Sequence, residues 1–188
     1  MPSAMLDHTI RWFSCPFRAL LPAVVAVALL MAATETRAEP SDTTLPQPQG
    51  PVILTITGAI TRTNGDGVAR FDRAMLEALP GRTAAVTTPW LSGVTTYEGP
   101  FGAAVLEAVG ATGSTLQIRA LNDYVAEIPA EDFQREGLIL ALRENGKIMS
   151  VRERGPVFLI YPFDLDPALN TETFYNRSVW QISTIEVE

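Results

Sequence analysis

Apolar and polar positions change period several times along the chain. The β-branched run "VILTITGAI", residues 52–60, predicts a strand ending near Gly58. A Gly/Asn loop follows over residues 61–69. "FDRAMLEALPG" puts Met75, Leu76 and Leu79 on one face, with Asp72 as N-cap and Pro80-Gly81 as a stop, and predicts a short helix. Residues 83–88 alternate as a strand, whereas "PWLSGVTTYEGP", residues 89–100, shows no period and is expected to be irregular. "FGAAVLEAVGATG" reads as an amphipathic helix stopped by Gly110. Strands are expected over residues 115–121 and 124–129, then one or two helical turns over residues 130–137. "LILALRENGKIMSV" carries a hairpin signal at Asn145-Gly146. "VFLIYPF" predicts a buried strand. A loop with room for one short helix leads to a closing strand, "SVWQISTIEV". Many short strands with two or three short helices, and no regular βα alternation, give an α+β fold class with a mixed β-sheet.

The first residues follow a different rule. Arg11 and Arg18 precede an uncharged apolar run, Ala19 to Ala33, and Thr36 and Ala38 stand where a signal peptidase reads. A secretory signal peptide over residues 1–38, cleaved after Ala38, is expected, with a periplasmic destination. The run of 15 residues is shorter than the roughly 20 that a spanning helix needs, which leaves an uncleaved anchor as the alternative. Residues 39–51 are polar and rich in Pro and predict an extended, poorly ordered leader. The folded domain is expected over residues 52–188.

Cleavage changes the available chemistry. His8 and Cys15, the only His and Cys of the chain, both lie in the signal. The remainder has no thiolate for a metal, no disulfide and no Ser-His-Asp triad. It keeps 11 basic against 19 acidic residues, a net charge of −8, which argues against nucleic acid as a partner.

Polar and aromatic residues collect in four places: Trp90, Ser92 and Tyr97; Asn122, Asp123 and Tyr124; Arg152, Arg154, Tyr161 and Asp164; and Tyr175, Arg177, Ser178 and Trp180. Together they have the chemistry of a flat-ligand site, in which rings stack on a heterocycle and polar groups read its edge. Taken singly, Trp90 and Trp180 read as core or rim aromatics. Tyr161 reads as packed with its hydroxyl satisfied locally, Arg154 and Glu153 as a solvated loop pair, and Glu127, Glu131 and Asp132 as strand-face and helix-start charges. Asp123, between Leu121 and Val125, is either solvent-facing on an edge or paired. No spacing of carboxylates, phosphate loop or calcium loop selects a catalytic residue.

Four segments, taken in order from Trp90 to Val187, resemble the molybdopterin-binding domain of the sulfite oxidase family: "WLSGVTTYEGPFGAAVLEAVGA", "LNDYVAEIPAED", "LALRENGKIMSVRERGPVFLIYPF" and "SVWQISTIEV". The departures bear on function. The family's molybdenum-binding Cys has no counterpart after residue 38, its "HG" pair is Arg154-Gly155 here, and Trp180 stands where its last strand carries Lys. The chain is more similar to small, exported, single-domain relatives of that fold. Some of these bind free pterins in the periplasm and act on a membrane cyclic-di-GMP signalling protein. The resemblance implies a non-catalytic pterin-binding protein with a tetrahydropterin-type ligand rather than full molybdopterin. Its partner would be the periplasmic domain of a membrane signalling protein. In that frame Asp123 would accept both hydrogens of the pterin's guanidine-like edge, flanked by Asn122. Trp90 or Trp180 would stack on the ring beside Tyr97 or Tyr124. Arg152 or Arg177 would donate to the ring carbonyl, and Ser92 lies in the same segment as Trp90. A molybdopterin-dependent oxidoreductase and a ligand-free protein-interaction module are the alternatives.

Overall fold

Val52–Gly58 forms strand β1, Ala69–Asp72 forms β2, and Arg73–Glu77 is the short helix α1. Gly81–Thr87 (β3) and Val94–Pro100 (β4) lead to helix α2, Gly102–Val109. Thr115–Ala120 (β5) and Val125–Pro129 (β6) run into the single turn α3, Ala130–Phe133. Ile139–Ala141 (β7), Arg143–Glu144 (β8), Lys147–Ile148 (β9) and Phe158–Ile160 (β10) follow. Helix α4, Glu172–Arg177, precedes the last strand, β11, Ile182–Val187. The computed structural model describes residues 44–188, all within the unit Pro40–Glu188. The expected signal peptide and the first leader residues, 39–43, lie outside the described residues.

The strands form a five-stranded sheet of order β2-β1-β11-β5-β6, a four-stranded sheet of order β3-β4-β8-β9, and the pair β10-β7. Only β1 and β11 run parallel; the other pairs are antiparallel. The first and last strands are therefore neighbours, and the larger sheet is mixed, as the sequence predicts. Leu54, Ile56, Leu116, Ile118, Ile182 and Ile185 alternate inward from this sheet and join Val105, Val109 and the fully buried β7 and β10 in one core. Gly110 ends α2 at φ 60°, and Asn145 (φ 50°) and Gly146 (φ 76°) turn β8 into β9.

Four expectations need correction. Residues 94–100 are not irregular: β4 pairs with β3 over its whole length, so cross-strand pairing overrides a weak local pattern. Part of the expected Gly/Asn loop and the start of the expected helix form β2, whose Phe71 opposes Leu54. The closing strand begins at Ile182 rather than Ser178. The leader is tied down from Thr44 onward: Leu45 N–H donates to Thr63 O (2.9 Å), and Asn64 Nδ2 donates to Pro46 O (2.9 Å). The Gln49 and Gly50 N–H groups donate to Asp72 Oδ2 at 2.7 and 2.8 Å. Asp72 also caps α1, accepting from Met75 N–H at 2.9 Å.

Candidate functional site

Three separate segments meet at one side of the fold. The loop between β3 and β4 brings Trp90. The β5–β6 hairpin brings Ala120, Asn122 and Tyr124. The end of α4 and the approach to β11 bring Tyr175, Asn176, Ser178, Val179 and Trp180. They enclose a cavity of about 260 Å³. Trp90 is its centre: its ring lies 6.1 Å from Trp180 at 83°, 5.7 Å from Tyr175 at 77°, and 5.8 Å from Phe158 at 64°. Edge-to-face pairs of this kind each add about 0.5–1.5 kcal/mol beyond burial and fix ring orientation. The two perpendicular indoles form a rigid corner.

Local sequence explains each wall. Leu91 N–H donates to Thr88 O across Pro89, a turn that suits Pro in its second position, and places Trp90. In the hairpin, Asp123 N–H donates to Ala120 O (3.1 Å) and Ala120 N–H donates to Tyr124 O (2.9 Å). Asp123 takes φ 65°. This is a three-residue loop whose last position is left-handed, a conformation that Asp and Asn tolerate better than most residues. Asn122 Oδ1 accepts from Tyr124 N–H (3.2 Å), and its Nδ2 has no partner among the described residues. At the third wall, Ser178 Oγ donates to Phe174 O (2.9 Å) and closes α4. Gln181, at φ 55°, accepts from Leu121 N–H and donates to Arg154 O, both at 2.9 Å, which joins the hairpin to the segment after Trp180.

Of the residues expected at the site, Trp90, Asn122, Tyr124 and Trp180 are brought together. The others lie elsewhere. Asp123 resolves to the solvent-facing alternative: it is exposed at the hairpin tip and does not line the cavity. Ser92 is exposed in the Trp90 loop, and Arg152 is exposed on a 3₁₀ turn, Val151–Glu153. Tyr97 is fully buried and packs edge-on against Phe158 (5.6 Å, 89°), behind the cavity rather than in it. Burial pushes its phenol up to about 12, with Glu144 adding to the shift and Arg154 opposing it. Its hydroxyl and Arg154 Nε are buried near each other, and neither makes a well-formed hydrogen bond among the described residues. Arg154 pairs with Glu144 (2.7 and 2.9 Å), not with Glu153.

Arg177 is held away by Asp132. That carboxylate lies in the first turn of α3, as expected, but it is also a buried node. It accepts from Arg177 Nη1 (2.7 Å), Tyr161 Oη (2.8 Å) and Arg135 Nε (3.1 Å). Its partners Tyr161 and Arg177 are 29 and 45 residues away, so no local pattern signals it. Tyr161 is packed with its hydroxyl satisfied, as expected, though the bond is long-range. Sequence reasoning missed Asn176, whose side chain has no hydrogen-bond partner among the described residues. It is adjacent to Arg177, and the cation drew the attention that the amide merited.

Two larger grooves differ in character. One of about 450 Å³ between α1 and β3–β4 is open, and three of its four charged residues are engaged, Arg143 with Glu77 (3.0 Å) and Arg82 with Asp164 (2.6 Å), while the Glu98 carboxylate has no ion pair among the described residues. One of about 850 Å³ beside α2 and α3 lacks aromatic residues. The Trp90 cavity instead joins aromatic rings to two side-chain amides, of which Asn122 uses only its Oδ1 and Asn176 neither end among the described residues, and no charged residue lines it. It has no cation for a phosphate, and no Cys occurs among the described residues, so these residues do not fit full molybdopterin or its metal.

No family model matches the chain, and no curated protein matches it. Among solved structures, the sulfane dehydrogenase SoxCD from Paracoccus pantotrophus is similar, with a TM-score of 0.50 and 18% identity. The match covers 71% of this chain and 37% of that one. The likeness concerns the fold alone.

Proposed function

We propose that this chain binds a small, phosphate-free pterin in the Trp90–Trp180 cavity, and that it does so as a non-catalytic periplasmic regulator of a membrane signalling protein of the cyclic-di-GMP type. The observation that carries the ligand is the cavity itself: two perpendicular indoles, two tyrosines, two side-chain amides and no charge, in about 260 Å³. That volume lies just below the roughly 300–1,000 Å³ usual for drug-sized ligands and suits a bicyclic heterocycle. The ring packs on an indole face. The amide of Asn122 or Asn176 offers a donor and an acceptor to the pterin's lactam edge, much as one amide pairs with another. Amides take the edge-reading role that the sequence suggests for Asp123. The partner is favoured by the rim: Leu121, Tyr124 and Trp180 are 51%, 50% and 38% exposed, an apolar border around the mouth that a docking domain would cover.

The test begins with protein isolated from its native compartment. Denaturation should release a pterin, identified by its fluorescence, in near-stoichiometric yield from wild type and not from Trp90→Ala. Stoichiometric molybdenum in the native protein would contradict the proposal and favour an oxidoreductase.

A further inference from the structure

β3 is an outer strand of its sheet, and its ladder decides which backbone groups are free. Thr96 O and Glu98 O accept from Asn145 N–H and Leu142 N–H, both at 2.8 Å, on the side of β4 away from β3. Thr95, Tyr97 and Gly99 therefore bond toward β3, opposite Val86, Ala84 and Arg82. The N–H and C=O groups of Thr83, Ala85 and Thr87 point outward, and they have no hydrogen-bond partner among the described residues. These three residues are exposed, while Ala84 and Val86 are buried.

Outer strands are commonly protected by charge, Pro, brevity or a bulge. The other outer strands of the two larger sheets have such protection. β2 is four residues long, lies opposite a bulge in β1 and is charged at Arg70 and Asp72; β6 carries Glu127 and ends at Pro129; β9 has two residues, one of them Lys147. Between Thr83 and Thr87 there is no charge, no Pro and no break in register. The free edge is also self-complementary. Placed antiparallel about a two-fold axis through Ala85, Thr83 faces Thr87 of a second copy and Ala85 faces its equivalent. Small, neutral side chains meet at every step, and Thr–Thr pairs are favourable across strands. The chain's net charge of −7 opposes self-association at long range, but no like charges meet along this edge.

We infer that β3 is the surface through which two copies of this chain pair, joining their four-stranded sheets into one continuous sheet. Analytical ultracentrifugation of the purified chain over a wide concentration range tests this. The expected result is a reversible dimer, which Ala85→Lys abolishes by setting two ammonium groups face to face, with far-UV dichroism and melting unchanged. The double variant Thr83→Lys/Thr87→Lys, which opposes like charges at the two flanking register positions, should have the same effect. An equimolar mixture of Ala85→Lys and Ala85→Glu should recover the dimer, and Glu127→Lys on the β6 edge should leave it intact. A wild-type chain that is monomeric throughout, including one that pairs only with a strand of another protein, overturns the inference. So does a dimer that survives in both edge variants or is lost with Glu127→Lys.

Discussion

Asp72 accepts backbone hydrogen bonds from Met75, Gly50 and Gln49, and these hold its carboxyl below the ordinary value of 3.8, with burial opposing them. The folded state thus favours the ionised form. The resulting stability is present above pH 3.8 and is lost as pH falls through the lower folded-state value. Asp72→Asn should flatten the acid limb of the stability profile, measured by urea unfolding between neutral pH and about pH 3; an unchanged limb would count against these bonds. Tyr97 offers the converse case. Its hydroxyl is buried beside Arg154 and makes no well-formed hydrogen bond among the described residues, so Tyr97→Phe should leave stability unchanged or raise it by about 1 kcal/mol, since a poorly satisfied group is removed. A large loss would mean that the hydroxyl has a partner. The cap role of Asp72 was legible because a cap acts within three residues. Its bonds to Gln49 and Gly50 were not, because a polar, Pro-rich stretch gives no sign of what it lies against.

Strands and helices with their own period were readable element by element: β1, α1, α2, β10 and the Asn145-Gly146 hairpin follow from local pattern and turn chemistry. β4 was not, because "VTTYEGP" becomes a strand only when β3 and β8 flank it. "ALNDYVAEIPAED" was half readable. Its flanks are strands, and Asp123 at its centre answers the need for a left-handed turn residue, while Asn122 and Tyr124 on either side line the cavity. The mutual placement of elements rests on contacts that sequence does not show. Asp132 ties α3 to Tyr161, which follows β10, and to Arg177 at the end of α4. Asp132→Asn should therefore lower stability by about 3 kcal/mol, the low end for breaking a buried pair, because both arginines are partly exposed. Equilibrium unfolding measures this, and a midpoint equal to wild type would show that the node is dispensable.

At the scale of the whole molecule, residues distant in sequence assemble into one site: Trp90, Asn122, Tyr124, Tyr175, Asn176 and Trp180 line one cavity. The sequence supplied the aromatic members, since large rings in turn-rich segments stand out. Among the polar members it pointed to Asn122, but otherwise to the charged Asp123, Arg152 and Arg177, whereas the cavity's second side-chain amide is Asn176. The central claim is that this uncharged aromatic cavity, and not the carboxylate at the hairpin tip, binds the ligand. Calorimetric titration of a phosphate-free tetrahydropterin into wild type, Trp90→Ala and Asp123→Asn tests it most directly, because Asn keeps the left-handed turn while removing the charge. Wild type should bind, Asp123→Asn should bind with equal affinity, and Trp90→Ala should lose about 2 kcal/mol or more, roughly thirtyfold in Kd. Equal binding by Trp90→Ala, or loss of binding in Asp123→Asn alone, would contradict that claim.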